Sequence, residues 1–318
     1  MIVVIEKITS IFLIIALGFA ANRIGYLPKE ASKFMSNILL FITSPCLMLS
    51  AITEQELTEE TLHGTLELLL WSVLWFVVFT AIGYFLFTKI IKVKPVTDTG
   101  VFIYMFASVS NGFMGIPVTM ALFDDYVLYL MILHSTVLSV YLYVVGIPFV
   151  HIGTPRSKGL SKATFFAIAK KPGTFCAFIA IILFLAGVKF PPLIFRSIDM
   201  VGDATVPLSM LIVGVQLGGS NLRRIIKNRQ LLFMAVLKMV SLPALTFLMV
   251  NWLPMDVSTK ITLIFGGAFP IAVGTVAVSE AEGENALLAA EGTTLTTIIS
   301  LVVLPVTAAL LMSFYGLQ

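Results

Sequence analysis

The sequence predicts an all-α integral membrane protein, with ten transmembrane segments in two inverted five-helix repeats and with segments 4 and 9 broken near mid-span. Three observations predict it. Apolar residues make up 58% of the 318 residues and charged residues only 12%, against about 25% charged in a soluble domain, which leaves too little polar surface to meet water. The apolar residues fall in runs of roughly 20, the length that spans a ~30 Å hydrocarbon layer at 1.5 Å per helical residue. The basic residues alternate from one set of connections to the other, as the ends of successive spans require.

The apolar segments run 2–22, 34–53, 66–88, 99–122, 126–151, 172–189, 197–219, 230–253, 259–279 and 288–315. In lipid each has to be a helix, because its N–H and C=O groups find no water and must pair within the segment. Segment 1 opens Met-Ile-Val-Val-Ile-Glu-Lys, without a basic leader, and reads as a retained helix rather than a cleaved signal peptide. One side of the membrane receives fifteen basic residues: Arg23, Lys29, Lys33, Lys89, Lys92, Lys94, Arg156, Lys158, Lys162, Lys170, Lys171, Arg223, Arg224, Lys227 and Arg229. The other receives four, Lys7, Lys189, Arg196 and Lys260. The basic side is then cytoplasmic and both termini face outward, as expected of a multi-pass protein of the cell (inner) membrane. Outer connections are acidic, with Glu54, Glu56, Glu59 and Glu60 in one and Asp124 and Asp125 in another. The basic stretch 153–171, with Pro155 and Gly159, reads as a cytoplasmic linker between a first repeat, 1–152, and a second, 172–318. Its charge run serves topology, and a net charge of +3 gives no case for nucleic acid.

The two halves resemble each other at a fixed offset. Gly25-Tyr-Leu-Pro28 lies 162 residues before Gly187-Val-Lys-Phe-Pro191, Ser44-Pro45 before Val206-Pro207, and Gly112 before Gly274. Near the end the offset shortens to 157, pairing Gly146-Ile-Pro148 with Val303-Leu-Pro305. Five helices is an odd number, so the second half enters the membrane upside down. Inverted repeats of this kind serve alternating access, in which one bundle rocks against another around a central site.

Segment 4 contains Asn111-Gly112-Phe-Met-Gly115-Ile-Pro117, and segment 9 contains Phe269-Pro270-Ile-Ala-Val273-Gly274, both near mid-span. A single interruption of this type reads as a proline kink; two at corresponding positions point to a ligand site. A helix broken inside the membrane exposes an N-terminus carrying roughly +0.5 of an elementary charge and free N–H donors. No Asp or Glu lies near either break to neutralise it. A small organic anion can therefore be held by backbone N–H groups and the Asn111 amide, with Pro117 in the first turn of the new helix. Pro45 and Pro207, at mid-span in segments 2 and 7, are expected to line the same cavity or to serve as packing kinks.

At these residues the chain resembles the auxin efflux carrier family. The resemblance rests on Asn111 to Pro117, on Phe269 to Gly274 and on the Ser/Thr-rich stretch Thr293 to Pro305, and it spans essentially the whole chain. It implies a fold related to the bile acid–sodium symporters, with a scaffold of segments 1, 2, 6 and 7 and a transport domain of segments 3–5 and 8–10 in which segments 4 and 9 cross at the midplane. It implies organic anions as substrates, indole acetate in plants and malate- or malonate-like acids in bacteria, and a homodimer formed through the scaffold. The short linker matches a bacterial-type member.

Ionisable residues inside spans are functional candidates by default. His134 and Glu291 are pseudo-equivalent at the 157 offset, and either can carry a proton; Lys238 lies within segment 8, and an ion pair between Lys238 and Glu291 is the structural alternative. Among the hydroxyls of segment 10, Thr294 is a candidate ion ligand, with packing as the competing role. Glu280, Glu282 and Glu284 read as solvated loop residues. Cys46 and Cys176 lie in apolar runs and read as small buried hydrophobes. No cofactor is expected, and protons and Na+ are the candidate coupling ions. No metal-ligand spacing, phosphate loop or nucleophile elbow is present in the sequence, so an enzyme is not expected. A carrier of small organic anions and a membrane sensor or receptor that binds such an anion without moving it are the two readings from different classes.

Overall fold

A computed structural model describes residues 2–28, 30–154, 172–220 and 222–316. Among the described residues the chain is helical, with no strand, and seven helical stretches, the interrupted Val96–Leu122 among them, are long and apolar enough to cross a membrane. The helices are α1 (Ile2–Arg23), α2 (Ala31–Glu54), α3 (Glu59–Ile90), α4 (Thr99–Ala107), α5 (Ile116–Leu122), α6 (Asp125–Val144), α7 (Gly146–Val150), α8 (Pro172–Leu185), α9 (Pro192–Gly218), α10 (Leu222–Ile225), α11 (Arg229–Asn251), α12 (Val257–Gly267), α13 (Val273–Ala281) and α14 (Ala286–Tyr315). Three of the ten expected segments fall short of a full span. Segment 1 contributes the shorter apolar stretch Thr9–Arg23, segment 6 ends after 14 residues at Leu185, and segment 9 is divided between α12 and α13. Segment 3 is longer than its apolar run. Thr58 caps it, its Oγ1 accepting from Thr61 N at 3.1 Å, and Glu59 and Glu60 occupy the first turn, where the helix dipole favours acids. The linker expected at 153–171 lies outside the described residues except for Gly153 and Thr154.

Two prolines leave the same mark on their helices. A proline removes one N–H and its ring crowds the carbonyl four residues back. In α2 that carbonyl belongs to Phe41, and Leu39–Thr43 forms a wider π-type turn that ends two residues before Pro45. In segment 4 it belongs to Phe113, and Asn111–Gly115 forms an equivalent turn ending two residues before Pro117. π-type turns inside α-helices gather at functional sites.

Packing is tightest where side chains vanish. Gly18 of α1 lies against the Leu211 backbone of α9, Gly214 of α9 against the Ile15 carbonyl, and Gly218 against Asn22. Small residues at such spacing let two helix backbones touch, the main source of attraction where lipid is as apolar as leucine. α2 packs on α8 and α9, α3 on α4 and α6, and α11 on α12 and α14. The interior of the bundle is segment 4: 94% of the apolar stretch of Val96–Leu122 is buried, against 39% for Glu59–Ile90.

A methyl group on Gly214 would overlap the Ile15 carbonyl and come within 2.7 Å of Phe19 N. Gly214→Val is expected to lower the thermal midpoint of the detergent-solubilised protein, at a cost of about 1–3 kcal/mol. Leu13→Ala, at a position 65% exposed on α1, should stay within about 0.5 kcal/mol. Equal midpoints for both variants would remove the close glycine interface.

Candidate functional site

Both interrupted segments open at the residues their sequences indicate. α4 stops at Ala107; Ser108 is extended (φ −78°, ψ 137°), and the chain re-enters helix at Asn111. The Ser110 carbonyl accepts from Met114 N at 3.0 Å and Gly115 N at 2.9 Å, so the first N–H groups of the new helix, from Asn111 to Phe113, have no acceptor within it. In segment 9, α12 closes at Gly267 with Ala268 N donating to Phe265 O at 3.0 Å, and α13 starts at Val273 after extended Ala272.

The two openings touch. Ser110 N donates to Pro270 O at 2.7 Å, Thr275 Oγ1 donates to Ser108 Oγ at 2.8 Å, and Phe269 packs its ring on Gly115. Ile271 N donates to Thr296 Oγ1 of α14 at 3.1 Å. Each link answers the same need. Backbone released from a helix inside the bundle requires a partner from another segment. Pro270 suits its place because it offers a carbonyl and has no N–H left to satisfy.

A cavity of about 410 Å³ lies beside this contact. Ser110 and Gly112 from the first opening and Ala272, Val273 and Gly274 from the second line it. The N-terminal ends of both second half-helices therefore face one space. The remaining wall comes from α2, including Ser44, and from α6, including Ser135, Thr136 and Ser139. Among the described residues no Asp, Glu, Lys or Arg lines it. Hydroxyls and free N–H groups are its polar equipment, a set that donates to an anion and gives a cation no fixed counter-charge.

The structure divides the expected site residues. Gly112, Val273 and Gly274 line the cavity. Asn111 is fully buried, and neither its amide nitrogen nor its oxygen has a hydrogen-bond partner. Gly115 makes room for Phe269, Pro117 is buried at the start of α5, and Pro270 forms the link to Ser110. Pro45 is buried next to the lining residue Ser44. Pro207 does not join them: it is exposed on α9, outside the lining.

His134 is buried, with Nδ1 2.8 Å from Ser72 Oγ and its ring stacked on Phe76. Its Nε2 has no partner and points at Gly266, where a Cβ would lie 2.9 Å away. Glu291 is not paired with Lys238 but with Arg224, Oε1 to Nε at 3.1 Å. Lys238 is fully buried and donates to Phe106 O at 2.9 Å and Ser108 O at 2.7 Å. The carbonyls that α4 releases at its end take the ammonium instead of a carboxylate. Thr294 donates back to Ala290 O at 3.0 Å on its own helix, which is the packing role.

Other residues enter only with the structure. Thr296, one turn away from Gly292 on α14, is the acceptor that holds the second opening. Its signal in the sequence was the hydroxyl-rich run from Thr293 to Ser300, in which Thr296 and Ser300 share one face and are the two fully buried hydroxyls. Glu282 and Glu284 are half-buried and paired rather than free loop residues. They hold the His151 ring from both sides, Nε2 to Glu282 Oε2 at 3.0 Å and Nδ1 to Glu284 Oε1 at 2.9 Å, and so clasp the connection after α13 to the end of α7.

With this geometry in hand, comparison with known proteins is informative. The model of a family described as "Membrane transport protein" matches residues 3–162 and 156–308. An uncharacterized transporter of Methanocaldococcus jannaschii is 25% identical over 224 residues, covering 69% of this chain and 70% of the relative.

Thr296→Val keeps shape and removes the acceptor of Ile271 N–H, leaving a buried donor unpaired. A loss of about 1–3 kcal/mol is expected, read as a lower melting midpoint in detergent. Thr294→Val, whose hydroxyl is bonded only within its own helix, should leave the midpoint near that of the wild type. A reversed order of the two variants would contradict the assigned role of Thr296.

Proposed function

The chain belongs to the membrane transport protein family, and on that premise we propose that it is a secondary transporter of small organic anions, of the carboxylate class, working by alternating access. The observation that carries the reading is the cavity onto which both second half-helices direct their N-terminal ends. An anion there meets two partial positive charges and the N–H groups that carry them. It loses less on leaving water than a cation, which would find hydroxyl oxygens alone.

The proposed arrangement is ten segments in two inverted repeats. α1, α2, α8 and α9 act as scaffold, and the helices of segments 3–5 and 8–10 as the moving transport domain. Both termini face outward from the cell membrane, on the strength of the basic connections. In that orientation the lining residues Ser36 and Leu40 of α2 and Ala277 of α13 lie on the cytoplasmic side of the openings, so the cavity corresponds to an inward-facing form. Transport then moves the paired openings past α2 until the cavity closes inside and opens outside.

Proteoliposomes are expected to take up or exchange labelled carboxylates from a panel that includes malate, malonate and indole acetate. Gly274→Leu, which places a side chain in the cavity, should cut uptake at least about tenfold while leaving the protein monodisperse. Binding of an acid without any translocation would replace the carrier with a sensor. For orientation, Thr58→Cys should react with an impermeant maleimide in intact cells and Lys92→Cys only after lysis; the opposite pattern inverts the topology.

A further inference from the structure

The cavity holds no formal charge, yet one stands immediately behind it. Among the described residues Lys238 is the one Lys, Arg, Asp or Glu whose residue is fully buried. The last carbonyls of a helix have no partner within it, and at the end of α4 their partners can be followed one by one. Tyr104 O accepts from Ser108 N at 3.1 Å, Met105 O from Ser108 Oγ at 3.4 Å, and Phe106 O from Lys238 Nζ at 2.9 Å. Lys238 also takes Ser108 O, and Ser108 Oγ receives Thr275 of α13. The opposite opening is closed differently. Phe265 O and Gly266 O at the end of α12 accept from the chain's own Ala268 N and Phe269 N. The crossing thus carries a lysine amine on one of its two carbonyl ends.

That amine has carbonyl dipoles around it and no ion pair among the described residues. A buried ammonium without a counter-ion is costly. Ser110, which lines the cavity, is two residues beyond the carbonyl that Lys238 holds, at most ~7 Å of extended chain. With little water between, a unit charge acts strongly over such a distance. Resting on the carrier reading above, we propose that Lys238 is a specificity-determining residue. Its ammonium, clamped on Phe106 and Ser108, is the fixed positive charge that balances the transported anion, so that no co-transported metal cation is needed for that purpose.

The test is uptake of labelled malonate and labelled indole acetate by proteoliposomes containing the wild type, K238M and K238R. K238M keeps the length of the side chain and loses its charge, and should raise KM about tenfold or more in protein that remains monodisperse. K238R keeps the charge and should stay within about threefold. Wild-type uptake should be unchanged when choline replaces Na+. A purely structural role would lower the melting midpoint and Vmax of K238M with KM unmoved, and that result overturns the proposal. So does a strict Na+ requirement in the wild type, a measurement that decides even if K238M does not fold. If the wild type carries neither acid, the carrier reading falls and this proposal with it, whereas an unaltered K238M removes the proposal alone.

Discussion

Peptide groups freed from a helix inside a membrane bundle must find a partner there, and this single requirement organises the centre of the molecule. Two segments open, at Ser108–Ser110 and at Ala268–Ala272. Each opening satisfies the other or borrows from a neighbour: Ser110 N from Pro270, Ile271 N from Thr296, and the α4 carbonyls from Lys238. Remove one link and a polar group is stranded where water does not reach. The surrounding helices are arranged so that these partners arrive. α14 presents Thr296 on its inner face, and α11 presents Lys238 at full burial.

The same requirement produces the functional asymmetry of the site. The carbonyl ends of both first half-helices are closed, one by a lysine and one by its own turn. The amide ends of both second half-helices are left facing a cavity walled by hydroxyls and apolar side chains. The partial positive charge at the cavity therefore needs no arginine there. It comes from helix ends that cannot be satisfied within their own helices. Away from the centre, side-chain pairs fasten connections. His151 is gripped by Glu282 and Glu284, and Arg224 holds Glu291 near the start of α14.

Much of this was legible in residue order. The spans follow from runs of apolar residues, because length and hydropathy are properties of a segment alone. The openings follow from Asn111-Gly112, Gly115 and Pro117 and from Pro270 and Gly274, because proline and glycine act on the local backbone whatever surrounds them. Partner choice was less legible. Lys238 and Glu291 looked like a pair by sign and neighbouring helices, yet the ammonium went to carbonyls that a broken helix releases, and Glu291 to Arg224. Thr294 and Thr296 are indistinguishable by type, and only the rotation of α14 decides which hydroxyl meets Ile271 N–H. Pro45 and Pro207 stand 162 residues apart, the offset at which the halves resemble each other, yet one is buried beside the cavity and the other exposed.

The sequence by itself determined the solvent this protein folds in, where its helices run and where two of them fail, since each depends on at most a turn or two of adjacent residues. Only the tertiary structure decided which groups meet at the failures, which face of each helix looks inward and where the buried Lys238 comes to rest. Those outcomes depend on helix rotation and on contacts between residues more than a hundred positions apart, such as Lys238 and Phe106, and nothing local encodes them.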